Sequence, residues 1–124
     1  MGEEDKILEE DNKKRKARYK KRAKLRKEIE TDLTNQLEDK GIHERHFLDL
    51  VADYMALWDT KNELIFDIQE KGVSVRYQNG ANQWGYKKND SVAELNRVNG
   101  QMLTIIRELG LKPVEKDDDA EFTL

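Results

Sequence analysis

A mainly α-helical fold, three helices with one short β-hairpin between the second and third, is what the sequence predicts. Three observations predict it. Apolar residues recur at helical spacing over three long stretches, and glycines stand where those stretches end. An Asn-Gly pair also sits between two short runs rich in β-branched and aromatic residues. With 124 residues, 36% hydrophobic and 40% charged, the chain suits one small domain and is too polar for a large single core.

The first helix is predicted to be long, and basic in its N-terminal half. Met1 to Asp11 hold six acids and one lysine, and this acidic start is expected to be disordered to about residue 12. Lys13, Lys14, Arg15, Lys16, Arg18, Lys20, Lys21, Arg22, Lys24, Arg26 and Lys27 follow, eleven cations with no acid among them. Lys, Arg and Ala favour helix, and the block runs unbroken into Leu25, Ile29, Leu33 and Leu37 at four-residue spacing. One helix therefore carries both, its basic half protruding and its apolar half docking, until Gly41 caps it.

The second helix is predicted from about His43 to Lys71. Phe47, Leu50, Tyr54, Leu57, Leu64 and Ile68 follow a 3-4 rhythm broken at Lys61, and Val51, Met55, Trp58 and Ile65 widen the stripe. Such a helix needs partners on two sides. Gly72 is expected to close it as a left-handed cap.

Asn79-Gly80 is the turn of the predicted hairpin, about residues 73–86. A two-residue turn there pairs Val75 with Trp84 and Val73 with Tyr86, and it places Tyr77 on the same apolar face. An isolated hairpin is marginal in water, so that face must rest on the helices or on a neighbouring subunit. Ser91 and Glu94 then form a capping box for the third helix, which continues through Leu95, Val98, Met102, Ile105 and Leu109. Val92, Leu103 and Ile106 make a second stripe, Gly110 caps the end and Pro113 prevents extension.

Three units result: residues 1–27, an acidic start and basic arm; 28–114, a helical core with the hairpin; and 115–124, an acidic tail expected to be disordered, with Phe122 and Leu124 as a small docking motif. The core carries more apolar width than three helices of its size hide, which predicts self-assembly, with Tyr54, Leu57, Trp58, Trp84 and Tyr86 at the interface between copies. The alternative is a monomer whose wide stripes pack on one another and on the hairpin.

Several chemistries are disfavoured. No cysteine is present, which removes thiol catalysis, disulfides and thiolate metal sites. His43 and His46 stand at i, i+3 beside Glu44 and Asp49, a pattern that polar residues in a first helical turn also produce, so no metal site is assigned. No phosphate-binding Gly-rich loop occurs, and no cofactor is expected. Asp49, Asp53, Asp59, Glu63 and Asp67 read as a solvated helix face rather than a nuclease centre, and Gly100 stands mid-helix without an evident cause. Nothing suggests an enzyme, no apolar run approaches a bilayer's thickness, and no secretory signal opens the chain, so an intracellular place is expected.

Charge points to the partner. The formal net charge of −3 hides a segregation of −5 over Met1–Asp11, +11 over Lys13–Lys27, −5 over 28–114 and −4 beyond. A block of +11 attracts polyanions, because each phosphate it neutralises releases a condensed counterion. Nucleic acid is the leading partner, and the eleven cations from Lys13 to Lys27 are the predicted DNA-contacting set. Only Tyr19 interrupts them as an aromatic, which favours phosphate contact over base stacking. A solvated helix face, an address tag, or an acidic protein partner are the alternatives.

The order of elements adds a resemblance. Glu70-Lys71-Gly72, the Asn79-Gly80 turn, Lys87-Lys88-Asn89, and a helix ending Arg107-Glu108-Leu109-Gly110-Leu111-Lys112-Pro113 together resemble the small subunit of tailed-phage terminases over about residues 45–113. Asp90 stands where that family usually has proline. The resemblance implies a DNA-recognition protein of a viral packaging motor, working in the host cell cytoplasm. It implies a ring of roughly eight to twelve copies that binds double-stranded viral DNA at the packaging start site. It also implies a large terminase subunit as partner, carrying the ATPase and nuclease. A non-viral nucleic-acid accessory or regulatory protein using the same basic arm is the alternative.

Overall fold

The computed structural model describes residues 2–111, and the predicted tail at 115–124 with Pro113 lies outside them. The order is α1 (Glu3–Asp39), α2 (Arg45–Lys71), β1 (Ser74–Gln78), β2 (Trp84–Lys88) and α3 (Asp90–Glu108). Three helices with one antiparallel hairpin between the second and third is therefore the architecture observed.

α1 starts at Glu3 and not after residue 12. Its first turn holds Glu3, Glu4 and Asp5, whose charges favour the positive end of the helix dipole. The 37 residues span about 55 Å. At its far end Gly41 (φ 71°) makes a Schellman closure: the Ile42 N–H donates to the Leu37 carbonyl (2.9 Å) and the Gly41 N–H to Glu38 (2.9 Å). Gly110 repeats it for α3, with Leu111 donating to Ile106 and Gly110 to Arg107. Gly72 closes α2 differently. At φ 79° and ψ −177° it is in an extended region open only to glycine, not in the left-handed helical well the sequence suggested.

α2 is the central element, with α1 antiparallel on one side and α3 on the other. The core is Leu33 and Leu37 from α1, Val51, Met55 and Trp58 from α2, Val98 and Met102 from α3, and Leu109 and Leu111 beyond it. On α2 the deepest line is thus the one expected only to widen the stripe, while Leu50, Tyr54, Leu57 and Leu64 pack around it half-buried. Trp58, expected between copies, is instead 7% exposed inside the protomer. On α1 the four-residue row fails at its upper end. Each step of four advances about 40° round the helix, so Leu25 has left the buried face and is 53% exposed.

The hairpin register also differs. Ser74 pairs with Lys88, Arg76 with Tyr86, and Gln78 with Trp84, three residues away from the pairing that a two-residue turn gives. That turn needs positive φ at both central residues, and Gly80 has it whereas Asn79 does not. The loop is longer, with the Asn79 N–H donating to the Gln83 carbonyl at 2.7 Å. An odd shift splits the apolar face: Trp84 and Tyr86 now share a side with Ser74, Arg76 and Gln78, and Val75 and Tyr77 lie on the other. Tyr77 lies across Gly85, where a Cβ would fall 2.9 Å from its ring.

Asn89, the buried polar residue of the core region at 6% exposure, holds the base of the hairpin. Its N–H donates to Val73, and its side-chain amide donates to the Gly72 carbonyl (3.0 Å) and to Asp67 (3.1 Å). Its side-chain oxygen accepts from the Ser91 N–H and so caps α3. Asn89 therefore replaces the predicted Ser91–Glu94 box. Ser91 instead donates its hydroxyl to Asp67 at 2.7 Å, and Glu94 sits near Arg97.

Candidate nucleic-acid interface

Round α1 the two kinds of cation separate. At about 100° per residue, Lys16, Lys27, Lys20, Lys13, Lys24, Lys21 and Lys14 occupy one arc of about 160°, while Arg15, Arg18, Arg22 and Arg26 fall within about 80° on the other side. All seven lysines are exposed. The arginine side continues the line of Ile29, Leu33 and Leu37 that meets α2, so the basic half of α1 docks along α2 and does not protrude as a free arm.

The docking is by ion pairs. Arg18 grips Glu63 with two nitrogens, at 2.7 and 3.2 Å, and its guanidinium lies 3.8 Å over the Phe66 ring. Arg22 donates to the same carboxylate at 3.1 Å, and its Nε is buried without a partner among the described residues. Arg26 spans both oxygens of Asp59, at 2.9 and 3.1 Å. Hydrogen bonding from Arg18, with Arg22 adding to it, holds the Glu63 carboxyl below the usual carboxylate range, and the guanidiniums of Arg18 and Arg26 are correspondingly harder to deprotonate. Such fork-to-carboxylate pairing suits arginine, whereas lysine offers a compact, well-hydrated point charge.

Three of the eleven predicted DNA-contacting residues, Arg18, Arg22 and Arg26, are therefore engaged within the protomer. Asp59 and Glu63 are their partners rather than part of a solvated face. Arg15 is exposed at the rim of a cleft lined by Asp11, Glu63 and Glu70. What stays open is a lysine stripe, Lys13, Lys16, Lys20, Lys24 and Lys27, about 21 Å long, with Lys14 and Lys21 beside it. The signal was in the sequence: arginines at 18, 22 and 26 precede Ile29, Leu33 and Leu37 at 4-4-3-4-4 spacing, one continuous contact line.

Of the residues predicted between copies, Trp84 and Tyr86 are 55% and 76% exposed on one face of the hairpin, with Arg76 stacked 4.0 Å over Trp84. Leu57 lines an open apolar groove of ≈ 820 Å³ between α2 and α3. Tyr54 is half-buried, and burial pushes its hydroxyl pKa up. Among the described residues no three His, Cys, Asp or Glu side chains gather as a metal site, and no helix is long and apolar enough to cross a membrane. His46 packs its ring 4.2 Å from Phe47.

Among the described residues, fold and surface together define a small helical protein with a lysine-covered face and an open apolar groove. The family described as "Phage terminase, small subunit" matches residues 27–118, and the chain belongs to that family. Membership places it in phage genome packaging, and the match contains the stretch over which the order of elements resembled small terminases. It starts at Lys27, so most of the lysine stripe lies ahead of it. No curated protein and no solved structure matches the chain.

Proposed function

We propose that this chain is the DNA-recognition subunit of a packaging motor, gripping duplex phosphates through the lysine face of α1 and passing the DNA to the large subunit in the host cell cytoplasm. Family membership supports the setting, and the separation of lysine from arginine on α1 carries the assignment of the surface. Arginines that bond Asp59 and Glu63 hold the helix in place, so that the lysines stand on a rigid rod rather than a flexible tail. Phosphate contact of this kind is tolerant of sequence, and a choice of start site then rests on the bending preferences of the DNA. A ring of copies multiplies weak individual contacts into stable engagement.

The experiment replaces Lys13, Lys16, Lys20 and Lys24 with glutamine in the full chain and measures duplex affinity against salt. Each lost phosphate contact lowers the log–log slope by about 0.9, so a fall of about 3 to 4 is expected. Unchanged affinity and slope in a protein of unchanged oligomeric state would refute the lysine face. Substituting Arg18, Arg22 or Arg26 is expected to lower stability first, because these residues join α1 to α2.

A further inference from the structure

The hairpin and the groove are complementary surfaces on one chain. The hairpin shows two exposed aromatics, Trp84 and Tyr86, and from Val73 to Asn89 it carries Arg76, Lys87 and Lys88 with no acid. The groove is walled by Leu50, Ala56, Leu57 and Ile105, with Asp53 on its α2 side, Arg97 on its α3 side and Gly100 in its wall. Gly100 has no internal justification. A Cβ there meets nothing within 4 Å, its φ is not positive, and a mid-helix glycine costs about 1 kcal/mol relative to alanine. Its absent side chain widens a groove that nothing among the described residues fills.

Knob and socket do not meet within one protomer. The hairpin leaves α2 at Lys71, and Leu57 lies fourteen residues back, about 21 Å along the axis. We infer that the hairpin of one copy inserts Trp84 and Tyr86 into the α2–α3 groove of the next, with the hairpin's cations set against Asp53 on the α2 wall and away from Arg97 on the α3 wall. Different patches meet, so the contact is head-to-tail and propagates until it closes. This deepens the ring in the proposed function by naming its two surfaces, and it rests on that reading.

Two variants of the full chain test it without DNA: a knob-less form, Trp84→Ala with Tyr86→Ala, and a groove-filled form, Gly100→Gln. Both alter exposed positions. Helix content, and for the knob-less form the emission of Trp58, there the sole tryptophan, report on folding. Native mass measurement is expected to show a closed assembly for the unaltered chain and roughly 30-fold weaker self-association for each variant. Mixed together, the two retain one intact knob and one intact groove between them, so a 1:1 pair that grows no further is expected. Self-association of either folded variant at full strength would overturn the inference, as would the absence of the mixed pair or an unaltered chain that stays a single protomer. Because DNA is absent, the lysine-face reading can fail while this contact stands, and the reverse.

Discussion

Asp67 accepts from the Ser91 hydroxyl, the Lys71 ammonium and the Asn89 amide, and these bonds, with Ser91 first, hold its carboxyl at about 2. The folded-state value lies below the ordinary one of 3.8, so the group contributes stability that is complete above about pH 4 and disappears as pH falls towards 2. About 1–2 kcal/mol is at stake. Glu63 is shifted in the same direction and adds to the same loss. Asp67→Asn is expected to lower the urea midpoint at pH 7 and to flatten the decline between pH 4 and 2. Acid titrations of both proteins at fixed urea check it, and an equally steep decline in the variant would show that Asp67 does not set it.

At the scale of elements, α1 is joined to α2 by two chemistries along one line. Leu33 and Leu37 bury apolar surface near the turn, and arginine–carboxylate pairs take over towards the N-terminus. Glu63 receives two arginines, so Glu63→Gln leaves Arg18 and Arg22 without their counter-charge. The substitution is expected to cost about 1–3 kcal/mol, read from denaturant unfolding. It also frees two guanidiniums for phosphate, and the salt slope of duplex binding should steepen by up to about 2. A steeper slope with lower stability distinguishes release of the arginines from simple loosening, which would leave the slope where it was. The hairpin has its own determinant. Asn89 ties its base to Gly72, Val73 and Asp67, and that anchorage selects the register and so aims Trp84 and Tyr86 outward.

At the scale of the whole molecule, the proposed DNA contact rests on a stripe of five lysines per protomer, and one such stripe alone is expected to give weak, strongly salt-dependent binding. In the proposed closed assembly the stripes are expected to act together at high effective concentration. Gly100→Gln, with every lysine intact, is therefore expected to bind a long duplex at least 100-fold more weakly at matched protomer concentration, while its affinity for a duplex too short to reach two stripes stays the same. Titrations of both duplex lengths read the difference. Equal losses on both would mean that the groove and not the assembly touches DNA.

Element type and order were legible in the sequence because periodicity, glycine stops and an Asn-Gly turn are local signals. The basic block was legible as charge, but charge alone takes lysine and arginine as one set of eleven. Three things belonged to tertiary structure alone. Trp58 went to the protomer core because α2 is covered on two sides, and only the packing of α1 and α3 chooses which of its two stripes lies deepest. The hairpin register followed the anchorage of Asn89 to residues as distant as Asp67, a contact across 22 positions that no local turn rule contains. The pairing of Arg18, Arg22 and Arg26 with Asp59 and Glu63 arose because the Gly41 turn folds α1 back along α2. The chain's own chemistry thus determined which charges and apolar residues exist and at what period. Only the folded arrangement decided which were spent inside the protomer and which were left for a partner.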